Sequence, residues 1–503
     1  MSTRPPSDAQ ESDPPLTSLE LERRILGSTG WVALGHGGRQ LATFLTLLVL
    51  VRLLDPRDFG LVALAWVVLA YAEQVQETGV GQALIHRRTN IDRAAASAAA
   101  FSPTVSVLIY GVVFAIAPFI ARLFDAPDLV DVLRVMALVL VLRGVGVVPA
   151  AILERDLDFR SKSIAELGAT AAQVAVSLVL AFSGAGVWSL VFGHLAGGVV
   201  QTTFYWLLVP WRPSLQKVDS RILRELMSYG RYIGAFNILT VVSNTVDDVV
   251  VGRVLGTASL GVYSVVYRLA SFPNTVLSHI LGRPMFSVYS TLQDDLVSFR
   301  HAYVRNLQRV ALVAVPVSVG LAVAAEPTVE ALLGEKWLAG VSALHILAVY
   351  GLVRSFGGVT SEALKGMGKP QWNLAFGVVY AVVVIPALVV LTPRFGMSGA
   401  AAAMLIAVAA SALPSLAVTW RALELPAGEV AKALAPSLLC ASLLAATLGV
   451  LLVPSSTLPP AAALVLLVSA GLLVYVAATA LFARSIVMSM LRPGRQHGLS
   501  PSE

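Results

Sequence analysis

A single cysteine, Cys440, stands in 503 residues, and that scarcity excludes a disulfide framework and a cysteine-based metal centre. The 7 histidines are scattered, with no pair at metal-ligand spacing, so neither metal-dependent chemistry nor a metal cofactor is expected. No Gly-x-x-x-x-Gly-Lys-Ser/Thr loop occurs, which argues against direct use of ATP. Charge is thin as well: Asp, Glu, Lys and Arg supply 13% of the chain, against about 25% in soluble domains. No polar block is long enough to house a soluble catalytic domain, so no enzyme active site and no other cofactor are expected.

What the chain has in abundance is apolar sequence, 56% by residue, in stretches that recur from residue 31 to residue 483. A bilayer core requires about 20 largely apolar residues per helix, and each such run must be helical because unpaired backbone groups cannot face lipid. The reading is an all-α polytopic membrane protein with fourteen spans: 31–51, 59–78, 94–120, 129–149, 163–182, 184–208, 222–245, 258–282, 303–325, 340–362, 372–391, 396–420, 430–452 and 459–483. Ser183 to Gly186 is the turn that divides the fifth from the sixth. The net charge of +6 does not indicate nucleic acid, because the basic residues lie in short loops rather than along one soluble face.

Those basic residues orient the chain. With the N-terminus cytoplasmic, the inside segments hold clusters such as Arg87, Arg88 and Arg93, or Arg155, Arg160 and Lys162, whereas the outside segments hold only Arg52, Arg57, Arg122, Arg253, Lys336 and Arg394. Cytoplasmic loops accumulate Lys and Arg, so both termini are expected in the cytoplasm of a multi-pass protein of the bacterial inner membrane. Residues 1–30 read as a disordered tail, with no signal peptide and with a short interfacial helix at Leu19 to Leu26. Residues 484–503 read as a second cytoplasmic tail.

A repeat divides the chain. Residues 52–61 and 253–262 align at an offset of 201, pairing Arg52 with Arg253, Leu54 with Leu255, Phe59 with Leu260 and Gly60 with Gly261. Each block joins the first two helices of a half, which suggests parallel six-helix repeats around a shared cavity. The expected units are two pseudo-symmetric lobes, 31–208 and 222–420, joined by a cytoplasmic linker at 209–221. Accessory helices thirteen and fourteen follow at 421–483.

Ionisable side chains at membrane depth are costly and mark protein-lined or watered passages. Arg39, with His36 and Gln40 nearby in span one, is a candidate anion contact; a structural pair with Glu73 or Glu77 of span two is the alternative. The run from Glu73 to Glu77 is too polar to face lipid throughout. Arg268 follows Tyr263 and Tyr267 in span eight, where a guanidinium fork beside rings suits a charged glycolipid head. Arg143 lies deep in span four, either facing the cavity or holding helices together. Arg354 and Glu362 of span ten are placed to project on a similar face. Asp247 and Asp248 are expected to close span seven near the outer surface, as ion-coupling acids or as a cap or salt bridge. Gly144, Gly146, Gly193, Gly197 and Gly198 favour close helix contact, and prolines such as Pro103, Pro316 and Pro386 are expected to bend their helices.

The block from Leu53 through Leu64 and on from Glu77 to Arg88 resembles the bacterial lipopolysaccharide-biosynthesis and polysaccharide-export flippases of the multidrug/oligosaccharidyl-lipid/polysaccharide superfamily. Asp248 to Gly256, Leu260 to Ala270 and Pro273 carry a second match, and the span layout extends the resemblance over residues 25 to 485. The resemblance implies two six-helix lobes around a cavity and transfer of an undecaprenyl-diphosphate-linked oligosaccharide between leaflets by alternating access. Cationic contacts to the diphosphate match Arg39 and Arg268 in character. It implies membrane lipids as surroundings and a polysaccharide polymerase or export machinery as partners. A cation-coupled small-molecule or multidrug antiporter of the same superfamily fits the same architecture. A membrane-embedded glycosyltransferase fits less well, because every expected outside loop is short.

Overall fold

A computed structural model describes residues 37–76, 80–87, 89–214, 216, 218–277 and 283–483. The expected tails, the Leu19 to Leu26 helix, His36 and Glu77 lie outside the described residues. The described chain is all-α: α1 (37–53), α2 (Pro56–Gln76), α3 (Val80–His86), α4 (Ile91–Leu123), α5 (Leu129–Met136), α6 (Leu138–Arg155), α7 (Phe159–Phe182), α8 (Val187–Leu208) and α9 (Ser220–Leu277). It continues with α10 (Arg283–Thr291), α11 (Leu296–Val323), α12 (Ala325–Leu332), a 3₁₀ turn (Glu335–Gly340), α13 (Val341–Gly366), α14 (Gln371–Ala422), α15 (Ala427–Ser455) and α16 (Pro460–Phe482). Among the described residues, ten stretches are long and apolar enough to cross a membrane.

Glycine sets the breaks. α7 and α8 part at the expected turn, where Gly184 and Gly186 have positive φ. α9 and α14 are each two helices joined across one non-helical glycine, Gly256 (φ 85°, ψ 171°) and Gly396 (φ 60°, ψ −141°). These are backbone regions that side-chain-bearing residues rarely adopt. The prolines singled out from sequence lie inside helical segments rather than at these breaks: Pro103 in α4, Pro316 in α11 and Pro386 in the first limb of α14. Asp247 and Asp248 do not close a span as expected. The helix continues through Val249, Val250 and Val251 to the break at Gly256, since an apolar run at membrane depth has no reason to leave the helix.

Small residues let backbones approach. A methyl group added at Gly144 of α6 would overlap the Ser106 side chain of α4, and one at Gly193 of α8 would overlap that of Ser177 in α7. The closest approach joins the two repeat blocks. A methyl at Gly60 of α2 would overlap the Thr257 carbonyl, and one at Gly261 of α9 would overlap the Pro56 carbonyl.

The same end of the molecule is tied by polar bridges between the halves. Lys336 pairs with Asp55 (2.6 Å) and Arg253 with Asp125 (3.1 Å). Arg52 donates to the carbonyls of Ala331 and Leu332, and the indole of Trp337 donates to Val51 O (3.0 Å) while meeting the Phe59 ring edge-on. Trp337 has no exposed surface. At the opposite end Arg87, just after α3, pairs with Glu225 of α9 (3.1 Å), and Ser97 of α4 exchanges hydrogen bonds with the backbone of Asp219.

A candidate cationic cavity

The polar run of α2 turns inward. Glu73 accepts an ion pair from Arg143 of α6 (2.6 Å), and Gln76 donates to Ser106 Oγ (2.7 Å) and Leu140 O (2.9 Å), joining α2 to α4 and α6. Arg39 of α1 pairs with Glu166 of α7 (3.1 Å). Of the two alternative partners for Arg39, Glu73 has its carboxylate engaged by Arg143 and Glu77 lies outside the described residues. Glu166 was not singled out from sequence, and its place near the start of a polar helix turn gave no local signal.

Arg39, Arg143 and Glu166 line one cavity of about 400 Å³ among α1, α2, α6, α7 and α8, together with Trp66, Gln173 and His194. Trp66, Gln173 and His194 also line a smaller space of about 80 Å³, whose far wall is Arg268 of α9 with Thr43 and Thr46 of α1. The two spaces share Trp66, Gln173 and His194, so guanidinium groups from α1, α6 and α9 reach one region. His194 lies in the field of Arg268 and Arg143, meets Trp66 edge-on at 4.9 Å and lies 3.4 Å from the Gln173 amide nitrogen. Asp248 is the acid acting on Arg268. Arg268 keeps accessible surface while lining that space.

The two tyrosines beside Arg268 have different settings. Tyr263 has no exposed surface, and its hydroxyl donates to Asp247 (3.1 Å), which is 2% exposed. That bond staples the two limbs of α9 across Gly256. Tyr267 lies 3.2 Å from the Tyr350 hydroxyl and accepts from Arg354 Nη1 (3.2 Å).

Arg354 of α13 belongs to a second cavity of about 570 Å³ between α9, α13 and α14. Its Nη2 donates to Asn244 Oδ1 (3.2 Å), and Nη1 also donates to Tyr350. Glu362 does not share that environment; it pairs with Lys365 (2.8 Å). Of the expected site residues, the structure therefore brings Arg39, Arg143, Glu73 and Arg268 toward one region. Tyr263, Tyr267 and Asp247 gather in a neighbouring polar cluster. Among the described residues no group of His, Cys, Asp and Glu has metal-binding geometry.

A bundle of long apolar helices with arginines lining its cavities has the architecture of a multi-pass membrane protein. The family described as polysaccharide biosynthesis protein matches residues 49–342. The chain belongs to that family. It is 25% identical to the lipopolysaccharide biosynthesis protein WzxC of Escherichia coli (strain K12) over 68% of this chain and 70% of that one. It is 26% identical to the succinoglycan biosynthesis transport protein ExoT of Rhizobium meliloti (strain 1021) over 69% and 70% of the two chains. In fold it is similar to the lipid II flippase MurJ in an inward closed conformation, with a TM-score of 0.71 at 14% identity over 89% of this chain and 99% of that one. A multidrug resistance MATE family transporter in its inward-facing conformation gives 0.62 at 17% identity over 76% and 94%.

Proposed function

We propose that the protein moves an undecaprenyl-diphosphate-linked oligosaccharide from the cytoplasmic to the outer leaflet of the bacterial inner membrane, for polysaccharide biosynthesis or export. The observation that carries this reading is the convergence of Arg39, Arg143 and Arg268 on adjoining cavities that share Trp66, Gln173 and His194. A diphosphate needs guanidinium forks, and a glycan needs amides, hydroxyls and flat ring faces; both sets are present. Glu73 positions Arg143. That WzxC is a lipopolysaccharide biosynthesis protein and ExoT a succinoglycan biosynthesis transport protein supports a glycan cargo.

In this reading the fourteen spans are α1, α2, α4, the α5 and α6 pair, α7, α8, the two limbs of α9, α11, α13, the two limbs of α14, α15 and α16. The first six form one lobe (31–208), the next six the other (222–420), and α15 and α16 the accessory pair. The end tied by Gly60 and Gly261 faces outward, and both termini lie in the cytoplasm. The head group enters from the cytoplasmic side while its polyprenyl tail stays in lipid, and the lobes then rock to open the outer end. Asp247 and Asp248 are the acids assigned to a coupling cation.

The test is leaflet transfer of a fluorescent polyprenyl-diphosphate oligosaccharide by purified protein in vesicles, with and without a sodium or proton gradient. Transfer above that of protein-free vesicles is expected. Absence of transfer for several glycan heads, with cationic drug export in their place, would favour the antiporter reading.

A further inference from the structure

The cavity between α9, α13 and α14 differs in charge from the one that holds Arg39 and Arg143. In the first chamber each of those guanidinium groups meets a carboxylate, Glu166 and Glu73. In the second, the lining among the described residues carries Arg354 and Lys365 and no Asp or Glu. Lys365 is engaged by Glu362. Arg354 donates only to neutral oxygens, those of Tyr267, Tyr350 and Asn244, and its guanidinium carbon lies 5.7 Å from the centre of the Tyr350 ring. Among the described residues Arg354 makes no ion pair. The acid in its field is Asp247, whose carboxylate is 2% exposed and holds the Tyr263 hydroxyl.

A guanidinium keeps its charge in a protein, and neutral dipoles screen it without cancelling it. The result is a chamber with a net positive centre, partly enclosed by protein, where an added anion gains more than it would in water. Around that centre lie the amides of Asn244 and Asn373 and the rings of Phe376 and Tyr380. These are groups that suit sugar hydroxyls and sugar faces.

We infer that this chamber is an oxyanion subsite, centred on Arg354, for an acidic group on the glycan of the cargo. The inference rests on the transport reading and gives it a selectivity: the first chamber, with Arg268 on the adjoining space, takes the diphosphate common to all heads, and the second prefers heads that carry a carboxylate. The diphosphate linker offers the same oxyanion chemistry, so the test must separate the two sources.

Purified protein in detergent is titrated calorimetrically with two soluble oligosaccharides of equal length, one of neutral hexoses and one containing glucuronate, and with inorganic pyrophosphate. The wild type is expected to bind the acidic oligosaccharide about tenfold tighter than the neutral one, the scale of one charge-assisted bidentate contact. Arg354→Gln removes that preference. A loss confined to pyrophosphate assigns the oxyanion to the linker instead of the glycan. Arg354→Lys keeps the charge but not the fork and retains part of the preference, which carries the test if Arg354→Gln fails to fold. Unchanged affinities for all three ligands in a variant with wild-type unfolding temperature overturn the subsite. Vesicle transfer of neutral and acidic polyprenyl-diphosphate glycans runs in parallel: a wild type that binds the acidic oligosaccharide preferentially but transfers neither lipid sinks the transport reading and leaves the subsite standing.

Discussion

Gly60 and Gly261 occupy reciprocal positions, each with its α-carbon against the backbone of the segment that carries the other. Gly60 faces the Thr257 carbonyl and Gly261 faces the Pro56 carbonyl. The residue numbers differ by 201 in both cases (261 − 60 and 257 − 56), so the contact pairs equivalent points of the sequence repeat. Neither position has room for a side chain.

Replacing either glycine by alanine is therefore expected to force α2 and the second limb of α9 apart at that end. Overpacking of this kind costs about 1–3 kcal/mol. Leu64 of α2, 1% exposed, supplies the readout. In a Cys440→Ser background, Leu64→Cys should react with a maleimide at least about fivefold faster when Gly60→Ala is added, the factor that 1 kcal/mol produces. Equal labelling rates would show that the contact does not hold this end shut.

Arg39→Ala and Arg268→Ala are each expected to slow leaflet transfer of the diphosphate-linked glycan about tenfold or more, the loss of one hydrogen-bonded charge contact. Tyr263→Phe is expected to behave differently. Its hydroxyl is bonded to Asp247 and has no surface, so the change should lower the unfolding temperature more than the transfer rate. Folded Arg39→Ala and Arg268→Ala proteins that both transfer at the wild-type rate would remove these residues from the site.

The Arg143 and Glu73 pair tests how far the first chamber is desolvated. Arg143 is 49% exposed and Glu73 17%, which places the pair between exposed pairs worth about 0–1 kcal/mol and buried ones whose rupture costs about 3–5 kcal/mol. A double-mutant cycle on Arg143→Gln and Glu73→Gln, read by thermal unfolding in detergent, should give a coupling of about 1–2 kcal/mol. A coupling near zero would mean that the chamber is as wet as bulk solvent.

Gly256→Ala is expected to destabilise by about 1–3 kcal/mol, because φ 85° with ψ 171° lies in a region that essentially only glycine adopts. Nothing lies within 4 Å of where its Cβ would be, so steric crowding does not contribute. Circular dichroism melts of Gly256→Ala check this against Gly320→Ala, inside the regular helix α11 and also in open space, which is the control and should be neutral or slightly stabilising.

Asp295 caps α11, accepting from the backbone N–H groups of Val297 (3.1 Å) and Ser298 (3.0 Å). Hydrogen bonds from Ser298, side chain first and backbone second, hold its carboxyl below the usual carboxylate value. A depressed folded value means that the cap contributes fully above the unfolded carboxylate pKa of about 3.9 and loses its contribution as pH falls through the folded value. Asp295→Asn keeps an acceptor without the titration. Its unfolding temperature should therefore fall less than that of the wild type between pH 5 and pH 3, taken as roughly the window around that pKa; parallel curves would contradict the assignment.

Much of this architecture is legible from residue order because lipid imposes a local rule: a long apolar run must be a helix. The Ser183 to Gly186 turn and the ends of α16 follow from composition over short windows. Pairing is a tertiary property, and there the sequence is silent. Arg39 meets Glu166 across 127 positions, and nothing in either neighbourhood favours Glu166 over Glu73. The break at Gly256 was hidden for the opposite reason: Asp247 and Asp248 look like a helix end, while the valines after them carry the helix onward. Arg354 was visible as a charge at depth, but its neutral partners, from α9 and from its own helix, become apparent only once the helices are assembled.

The reciprocal glycine contact joins uncharged main-chain atoms, whereas the chambers below it depend on guanidinium groups. Ionic strength and pH should accordingly act on the two parts unequally. Added salt weakens the hold of those groups on an anion by screening and loosens the exposed Lys336–Asp55 and Arg253–Asp125 pairs beside the glycines in the same way, so that whatever hold this end keeps at high salt comes from the packed main-chain contact of Gly60 and Gly261.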